Sequence, residues 1–360
     1  MAERNIVLCF DGTSNEVDSY ATNVLRLFRC LVKDDGQLCF YDAGVGTLED
    51  PAQLGKITKK LRKGLDLAMG FTLRDNVIEG YNFLVRNYQE TDDIYLFGYS
   101  RGAYTARAVA GMVHMFGLLR PEHENLTPYL WQRYYNNIVA KGSEDQKKLF
   151  ATAAVFRRDF SRKNVPIHFV GAFDTVSSFG LLTRYRTLPY TRTNEDIHHF
   201  RHACAMDERR AHFPSNQAEA KDPAKQDYKT VWFAGVHSDI GGGRPEEKSA
   251  LCMVPFQWIV REAVAQGLKV ETTTLQKVLE HPKPDPLAPR DESLDWIWRC
   301  IGILPLKSWS DEKQGFRLRW PNFSRKRKVP EGATLHQSVI DRVAKGMVPV
   351  TMPKSYQVEK

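Results

Sequence analysis

The sequence predicts an α/β fold in which helices cover both faces of a mostly parallel sheet. Three apolar runs that indicate buried strands, residues 6–10, 38–41 and 94–97, alternate with segments of helical spacing. This order is typical of a parallel sheet, because each crossover needs a helix to return the chain to the same edge. The third run ends in Gly98-Tyr99-Ser100-Arg101-Gly102 and a helical segment follows, which is the context of a nucleophile elbow.

Hydrophobic periodicity predicts the elements of the N-terminal half. Residues 21–32 and 75–88 place apolar side chains at helical spacing, and the strand at 38–41 lies between these two helices. After the elbow, small and apolar residues recur at helical spacing from Ala103 onward. The N-terminal half is therefore predicted to hold three strands, each followed by a helix.

The remaining elements are predicted from longer and more polar segments. Residues 127–160 are predicted to be helical, and 166–173 form the next apolar strand. A helix is predicted over the segment that contains 202–210, and 230–235 is the last clear strand of the series. An amphipathic helix is predicted at 252–266.

The composition indicates an ordinary globular protein. Of the 360 residues, 42% are hydrophobic and 26% are charged, and the formal net charge is +8. This charge is compatible with attraction to nucleic acid, anionic lipid or acidic substrates and selects none of them. We expect no nucleic-acid partner. The six cysteines show no zinc-ribbon spacing and mostly lie among apolar residues, which indicates reduced thiols.

The N-terminus leads directly into the first strand. The first five residues contain no signal-peptide core, and no apolar run in the sequence is long enough to cross a bilayer. We therefore expect a protein that is cytoplasmic as synthesised, without signal peptide or transmembrane segment. Export by a route that reads no N-terminal signal stays open.

The chain changes character after residue 280. Residues 281–286 are rich in proline, and the segment up to residue 330 carries many cations together with the aromatic residues Trp296, Trp298, Trp309, Phe316, Trp320 and Phe323. We interpret 281–330 as a cap or insertion within a single domain of residues 1–360. It is predicted to be a lid over an acyl pocket, a surface for anionic lipid, or an ordinary cap whose basic run 325–328 is solvated.

Ser100 is the candidate nucleophile. A serine at the tip of a strained turn exposes its hydroxyl, and side chains at positions 98 and 102 would collide with the neighbouring strand and helix, so glycine is needed at both. The following helix would direct its amide-rich end toward negative charge that develops beside Ser100. The alternative is an ordinary strand-to-helix turn in which Ser100 only caps the helix.

Polar residues that follow the predicted strands supply partners for Ser100. In a parallel sheet the carboxyl ends of the strands meet at one edge, and a serine hydrolase needs an imidazole and a carboxylate there. Ser100, Asp174 and His237 occur in the chain order typical of α/β-hydrolases. Asp239 and His336 are the rival acid and base, and we favour His237 because it directly follows the last clear strand.

The turn after the first strand, Asp11-Gly12-Thr13, has competing interpretations. In one, the backbone N–H groups of Gly12 and Thr13, or the Thr13 hydroxyl, form an oxyanion hole together with the backbone N–H of Arg101. In another, the turn is merely a polar strand end. A third is magnesium-dependent phosphoryl or phosphodiester hydrolysis by Asp11. Phosphatases that begin with a strand and Asp-x-Asp-Gly-Thr attack through the first aspartate, and Cys9 stands at that position.

No metal site or cofactor is predicted. The sequence contains no pair of histidines at helical spacing with an acidic partner and no Cys/His quartet.

Six blocks in this order resemble those of a known family: residues 9–13, 41–47, 96–104, 173–176, 207–210 and 235–243. The sequence resembles the uncharacterised α/β-hydrolase domain family that includes the catalytic domains of type VI secretion phospholipase effectors. The resemblance implies an α/β-hydrolase-like fold and a lipase or esterase mechanism that uses serine, aspartate and histidine.

The leading hypothesis is therefore a serine esterase or lipase that cleaves carboxylic esters, with lipid and phospholipid acyl esters among the candidate substrates. Phosphoryl hydrolysis at Asp11 is the second hypothesis. A non-catalytic binding module on the same scaffold is the third. A small-molecule or lipid ester and an anionic membrane surface are the partners that the leading hypothesis implies.

Overall fold

The computed structural model describes residues 4–12, 20–44, 59–136, 144–162, 164–176, 188–210, 213–293, 306–310, 315–319, 326–349 and 351–360. For residues 59–72, 145, 146, 306–310 and 315–319 it describes the backbone alone.

The described strands and helices alternate through most of the chain. The strands are β1 (Asn5–Phe10), β2 (Gln37–Asp42), β3 (Asp93–Tyr99), β4 (Leu118–Leu119), β5 (Ser161–Arg162), β6 (Ile167–Phe173), β7 (Ile197–Ala205), β8 (Asp227–Phe233), β9 (Leu306–Ser310), β10 (Gly315–Arg319), β11 (Ala333–His336) and β12 (Tyr356–Glu359). The helices are α1 (Asn23–Cys30), α2 (Lys59–Asn87), α3 (Arg101–Phe116), α4 (Thr127–Asn136), α5 (Glu144–Asp159), α6 (His237–Gly241), α7 (Met253–Val264), α8 (Thr272–Glu280) and α9 (Gln337–Ala344).

Eight strands form one parallel sheet. Their order across the sheet is β12-β11-β8-β7-β6-β3-β1-β2, and every neighbouring pair runs parallel. Two small antiparallel pairs, β4 with β5 and β9 with β10, lie outside it. The prediction of an α/β protein with a mostly parallel sheet is confirmed.

The central strands of the sheet are buried on both faces, because their side chains alternate between apolar clusters on the two sides. In β1, Ile6 and Leu8 pack into the core that contains residues of α2, α3 and α4, whereas Val7 and Cys9 pack into the core that contains residues of α1 and α7. A strand with both faces covered needs apolar residues at consecutive positions, which explains the unbroken apolar runs in the sequence.

The order of the strands creates a crevice at one edge of the sheet. From β1 the chain crosses to β2 on one side, and then to β3 on the other side of β1. The connections therefore diverge outside the carboxyl ends of β1 and β3, which is where ligands bind in open α/β sheets. The turn at Asp11 and the turn at Ser100 lie at these two ends.

The predicted helix over the segment that contains residues 202–210 is wrong. Residues Ile197–Ala205 form β7, which pairs with β6 on one side and with β8 on the other. The run His202-Ala203-Cys204-Ala205-Met206 has residues that suit a helix, but hydrogen bonding to two neighbouring strands overrides this local preference.

Further differences concern where elements begin and end. The sheet continues beyond β8, because β11 pairs with β8 and β12 with β11. The predicted helix at 75–88 begins at Lys59, and the described part of the stretch 127–160 contains the helices α4 and α5. Within the described residues, no helix combines the length and apolar character that crossing a membrane requires.

Candidate active site

Ser100 occupies a sharp turn between β3 and α3. Its backbone has φ 57° and ψ −117°, which is an uncommon conformation for a residue other than glycine. The turn is anchored by a hydrogen bond of 3.0 Å from the Ser100 N–H to the Phe173 carbonyl at the end of β6. Strained residues that the surrounding structure holds in place often mark functional sites.

The two glycines that flank Ser100 are required by close backbone packing. A Cβ atom on Gly98 would lie 2.4 Å from the backbone nitrogen of Ala103 in α3. A Cβ atom on Gly102 would lie 2.1 Å from the carbonyl oxygen of Phe10 in β1. Both distances are far below a van der Waals contact, so any side chain at position 98 or 102 would collide with its neighbours, as predicted.

The Ser100 hydroxyl contacts an imidazole and does not cap the helix. Ser100 is the N-cap residue of α3 but makes no side-chain capping bond. Its Oγ lies 2.8 Å from Nε2 of His237. The alternative in which Ser100 serves only as a helix cap is therefore wrong.

His237 joins Ser100 to Asp174. The imidazole Nδ1 lies 2.5 Å from Oδ2 of Asp174, so the carboxylate accepts the Nδ1 proton and leaves Nε2 as the acceptor for the Ser100 hydroxyl. The ring is packed against two aromatic residues, with centroid distances of 4.8 Å to Tyr99 and 5.1 Å to Phe213. These contacts restrict the rotation of the imidazole.

Asp174 is held at the end of β6 by backbone hydrogen bonds and a strained conformation. Its φ is 43°, and its N–H donates to the Ala203 carbonyl of β7 at 2.8 Å. Its Oδ1 accepts the N–H of Ala205 at 3.0 Å. The side chain is fully buried, so its negative charge requires partners within the protein.

Arg327 supplies the positive charge that faces Asp174. Its Nη1 donates to Asp174 Oδ1 at 2.5 Å and its Nη2 donates to Oδ2 at 3.0 Å. Arg327 is 7% exposed. The interpretation of the basic run 325–328 as solvated is therefore wrong for Arg327. No local pattern in the sequence marks this residue, because its partner lies 153 positions earlier.

The pKa values of Asp174 and His237 are shifted by burial and by these contacts. Burial alone would raise the pKa of Asp174, but the charge of Arg327 and the hydrogen bonds from His237 and Arg327 hold it below its ordinary value. Burial lowers the pKa of His237 from its ordinary 6.5, and the contact with Asp174 opposes this only in part. The neutral imidazole is therefore favoured near pH 7.

The block Asp207-Glu208-Arg209-Arg210 braces the turn that carries His237. Glu208 is fully buried, and its Oε2 accepts the His237 N–H at 3.2 Å and an N–H of Arg210 at 2.8 Å. Asp207 accepts the N–H of Gly235 at 2.7 Å. The sequence predicts no role for this block, although it is one of the six blocks that carry the family resemblance.

The rival residues Asp239 and His336 are used elsewhere. Asp239 Oδ2 accepts the N–H groups of Val236 at 2.9 Å and Asp291 at 3.0 Å, and so stabilises the turn before α6. His336 is the N-cap of α9, and its Nδ1 accepts the Ser338 N–H at 3.2 Å. Ser100, Asp174 and His237 are thus the residues that the fold brings together, whereas Asp239 and His336 are engaged at other positions.

The predicted oxyanion donors have different surroundings. The N–H of Gly12 donates to Oδ1 of its neighbour Asp11 at 2.7 Å. Thr13 lies outside the described residues. Arg101 is the first residue of α3, where a backbone N–H has no acceptor within the helix. Its position directly after Ser100 keeps it as the best candidate donor.

Asp11 holds the β1 turn in place. Its Oδ2 accepts the hydroxyl of Tyr41 at 2.9 Å and also that of Thr22. Together with the bond to Gly12, these contacts occupy both carboxylate oxygens. Among the residues that the structure describes, no group of three or more histidine, cysteine, aspartate or glutamate side chains is placed to hold a metal ion.

The fold and this cluster define the class of the protein. A parallel sheet with helices on both faces carries Ser100 on a strained turn, and a histidine and an aspartate from later strand ends reach it in order. This organisation is α/β-hydrolase-like.

The particular family follows from the comparison of the whole sequence. Residues 4–262 match the family described as "T6SS, Phospholipase effector Tle1-like, catalytic domain". The chain belongs to this family.

Similar proteins include one curated relative and two solved structures. An uncharacterized protein of Saccharomyces cerevisiae, YEL023C, is 36% identical over 218 residues, a match that covers 58% of this chain and 32% of the relative. The chain thus spans about a third of the length of that relative.

The two structures share less sequence with this chain. A crystal structure of an uncharacterized protein from Pseudomonas aeruginosa has 17% identity and a TM-score of 0.46, covering 84% of this chain and 53% of that one. The Tle1 effector bound to the VgrG spike of the type VI secretion system has 16% identity and a TM-score of 0.33, covering 69% and 52%.

The close packing at the elbow predicts a large loss of stability for Gly102→Ala. Because the added methyl would overlap the Phe10 carbonyl, we expect the free energy of unfolding to fall by about 3 kcal/mol or more. Urea denaturation measures this. Gly332→Ala is the control, since Gly332 has φ 75° and no heavy atom within 4 Å of a Cβ, so that only strain of about 1–2 kcal/mol is added. Equal losses for both variants would contradict the steric explanation.

Proposed function

We propose that the protein is a serine hydrolase that cleaves carboxylic esters of lipids, including phospholipids, through an acyl-enzyme. The observation that supports this most directly is the continuous chain of hydrogen bonds from Ser100 through His237 to Asp174. A hydroxyl, an imidazole and a carboxylate in this arrangement are what nucleophilic acyl transfer requires.

In the first half of the reaction His237 Nε2 takes the proton of the Ser100 hydroxyl while Oγ attacks the ester carbonyl. Asp174 accepts the Nδ1 proton in a hydrogen bond throughout, which fixes the tautomer and stabilises the imidazolium. The tetrahedral intermediate then collapses, the imidazolium gives its proton to the leaving alcohol, and an acyl ester on Ser100 remains.

In the second half a water molecule repeats these steps. His237 takes a proton from the water, whose oxygen attacks the acyl ester, and Ser100 recovers its proton as the carboxylic acid leaves. We assign the Arg101 backbone N–H as one donor to the negative oxygen of both intermediates. Such a donor typically contributes about 3 kcal/mol to lowering the barrier.

Two observations favour a lipid with an anionic group as the substrate. The first is that the chain belongs to a family whose description names a phospholipase effector. The second is the side chain of Arg101, which has no hydrogen-bond or ion-pair partner among the described residues. Burial lowers the pKa of Arg101 to about 10, so the side chain is still charged near pH 7. An arginine without a carboxylate partner beside the nucleophile suits the phosphate of a phospholipid.

We infer that residues 1–360 form one domain in which 281–330 acts as a cap. The described start of this segment lies on the loops of the site. Arg290 Nη1 lies 2.8 Å from Asp207 Oδ1, and the Ser293 hydroxyl donates to Glu208 Oε1 at 2.9 Å. The side chains of the six aromatic residues named for this segment lie outside the described part of the chain. An anionic membrane surface remains the proposed partner of the cap.

The other two hypotheses gain no support from the site. Phosphoryl hydrolysis at Asp11 would need a carboxylate directed at substrate, and both oxygens of Asp11 are bonded within the β1 turn. A binding module would not need a strained serine joined to a histidine and a buried aspartate.

Covalent labelling tests the proposed nucleophile. A fluorophosphonate probe is expected to label the wild-type protein once per chain, and Ser100→Ala is expected to abolish labelling and to lower ester turnover by about 10⁴- to 10⁶-fold. Ser161→Ala is the control. The buried Ser161 hydroxyl donates a hydrogen bond of 2.8 Å to the Phe116 carbonyl and takes no part in the proposed site. Labelling that persists in Ser100→Ala would refute the proposal.

The low pKa of His237 predicts the pH dependence of turnover. The base must be neutral to act, and burial places its pKa below the ordinary 6.5, so its active form persists to lower pH. We expect kcat/KM for a soluble ester to stay nearly constant from pH 8 to 6.5 and to fall tenfold per pH unit only below that value. A midpoint above pH 6.5 in the kcat/KM profile would contradict the assignment of this buried imidazole.

Substitution of Arg101 tests the proposed recognition of phosphate. With Arg101→Gln, one charge-assisted contact is lost, so KM for a phospholipid should rise about 10- to 100-fold. Turnover of a neutral diacylglycerol or p-nitrophenyl ester should change less than about threefold, since the backbone donor is retained. Equal effects on the anionic and neutral substrates would show that Arg101 does not recognise the phosphate.

A further inference from the structure

All five N–H groups of the Arg327 guanidinium donate hydrogen bonds to Asp174, Ala205 and Phe213, a set of acceptors that we call the cradle. Two of its five N–H groups donate to the two oxygens of Asp174. The other three donate to backbone carbonyls, one to Ala205 at 3.0 Å and two to Phe213 at 3.1 and 2.7 Å. Because the fork of an arginine is planar and rigid, five such bonds fix its orientation.

This cradle fixes the plane of the carboxylate that faces His237. Oδ2 of Asp174 is shared between His237 Nδ1 and Arg327 Nη2, while Oδ1 is shared between Arg327 Nη1 and the Ala205 N–H. A rotation of the carboxylate would break bonds on both sides at once. Arg327 therefore restrains the group that in turn orients the imidazole.

Arg327 also changes the charge that the imidazole meets. An aspartate in a serine hydrolase stabilises the imidazolium by its full negative charge, whereas here the carboxylate is shared with a cation. The pair is buried, with Asp174 at 0% and Arg327 at 7% exposure, so solvent screens it weakly.

Other groups surround the same carboxylate and imidazole. The titratable or charged side chains that interact with Asp174, His237 or Arg327 from the neighbouring elements are Tyr99, His202, Cys204, Glu208 and Arg210. Of these, Arg210 is paired with Glu208 at 2.8 Å, and burial keeps His202 neutral near pH 7 by lowering its pKa to about 3. Among the described arginine and lysine residues, Arg327 contacts the carboxylate directly.

We propose that Arg327 is a positioning residue for the hydrolysis: it locks the Asp174 carboxylate against His237 and offsets part of its charge, so that it controls how readily the imidazole accepts a proton. This inference rests on the proposed function. It adds a fourth member to the Ser100, His237 and Asp174 group, from a segment beyond the family match at residues 4–262.

Two variants separate the charge of Arg327 from its geometry. Arg327→Gln removes the charge, so the imidazolium gains stability and the acid limb of the kcat/KM profile should move upward by about one pH unit. Arg327→Lys keeps the charge but cannot hold both oxygens and two carbonyls. It should leave the acid limb within 0.3 units, roughly the precision of such profiles, and lower the maximal kcat/KM at least about tenfold.

The matched control is Arg201→Gln with Arg201→Lys. Arg201 is 2% exposed in β7, and its Nε lies 2.6 Å from Glu262 Oε2 and its Nη1 donates to the Asp227 carbonyl at 2.8 Å. Its substitution should lower the melting temperature without moving the acid limb of the profile. The loss of a buried ion pair as such is thereby separated from a role at His237.

The pKa of His237 is also measured without substrate, by NMR titration of histidine-labelled wild type and Arg327→Gln, with His237→Ala to assign the signal. An upward shift in both profile and titration supports the inference. An unmoved acid limb in folded Arg327→Gln overturns it, and so does full kcat/KM in Arg327→Lys, which decides the matter if the glutamine variant does not fold. Absence of Ser100-dependent labelling in the wild type would instead refute the proposed function itself.

Discussion

The negative charge of Asp174 is the constraint on which the site depends. A fully buried carboxylate is tolerated only when hydrogen bonds and a counter-charge replace its hydration. Here the replacements are the Ala205 N–H, the imidazole of His237 and the guanidinium of Arg327. These groups come from β7, from the turn after β8 and from the segment before β11. Satisfying one charge therefore requires most of the sheet to be assembled.

The parts of the site that the sequence predicts are those with local causes. The elbow could be predicted because its sequence signals are local. An apolar run indicates the strand, and the glycines at positions 98 and 102 indicate the tight turn that follows it. His237 is predicted because it directly follows a clear strand, and its ring contacts the Ser100 hydroxyl. The contact between His237 and Ser100 could not be predicted in the same way. It depends on the order of the strands in the sheet, and no local sequence pattern gives that order.

The parts that could not be predicted depend on distant partners. Residues Ala333–His336 are too short and too mixed in character to mark a strand, and they become one because they pair with β8 and β12. His202 lies in β7 for the same reason, although its neighbours suit a helix. Arg327 belongs to a basic run that is typical of solvated surface, and only its burial against Asp174 distinguishes it.

The pairing of Asp174 with Arg327 has a consequence for how such sequences can diverge. Loss of either partner alone leaves an uncompensated charge inside the protein, at a typical cost of about 3–5 kcal/mol, a large part of the stability of an ordinary domain. The two positions are 153 residues apart, yet we expect selection to act on them together, because each depends on the other. Related sequences should therefore keep both residues or replace both. A truncation that removes Arg327 would leave the buried charge of Asp174 without this counter-charge.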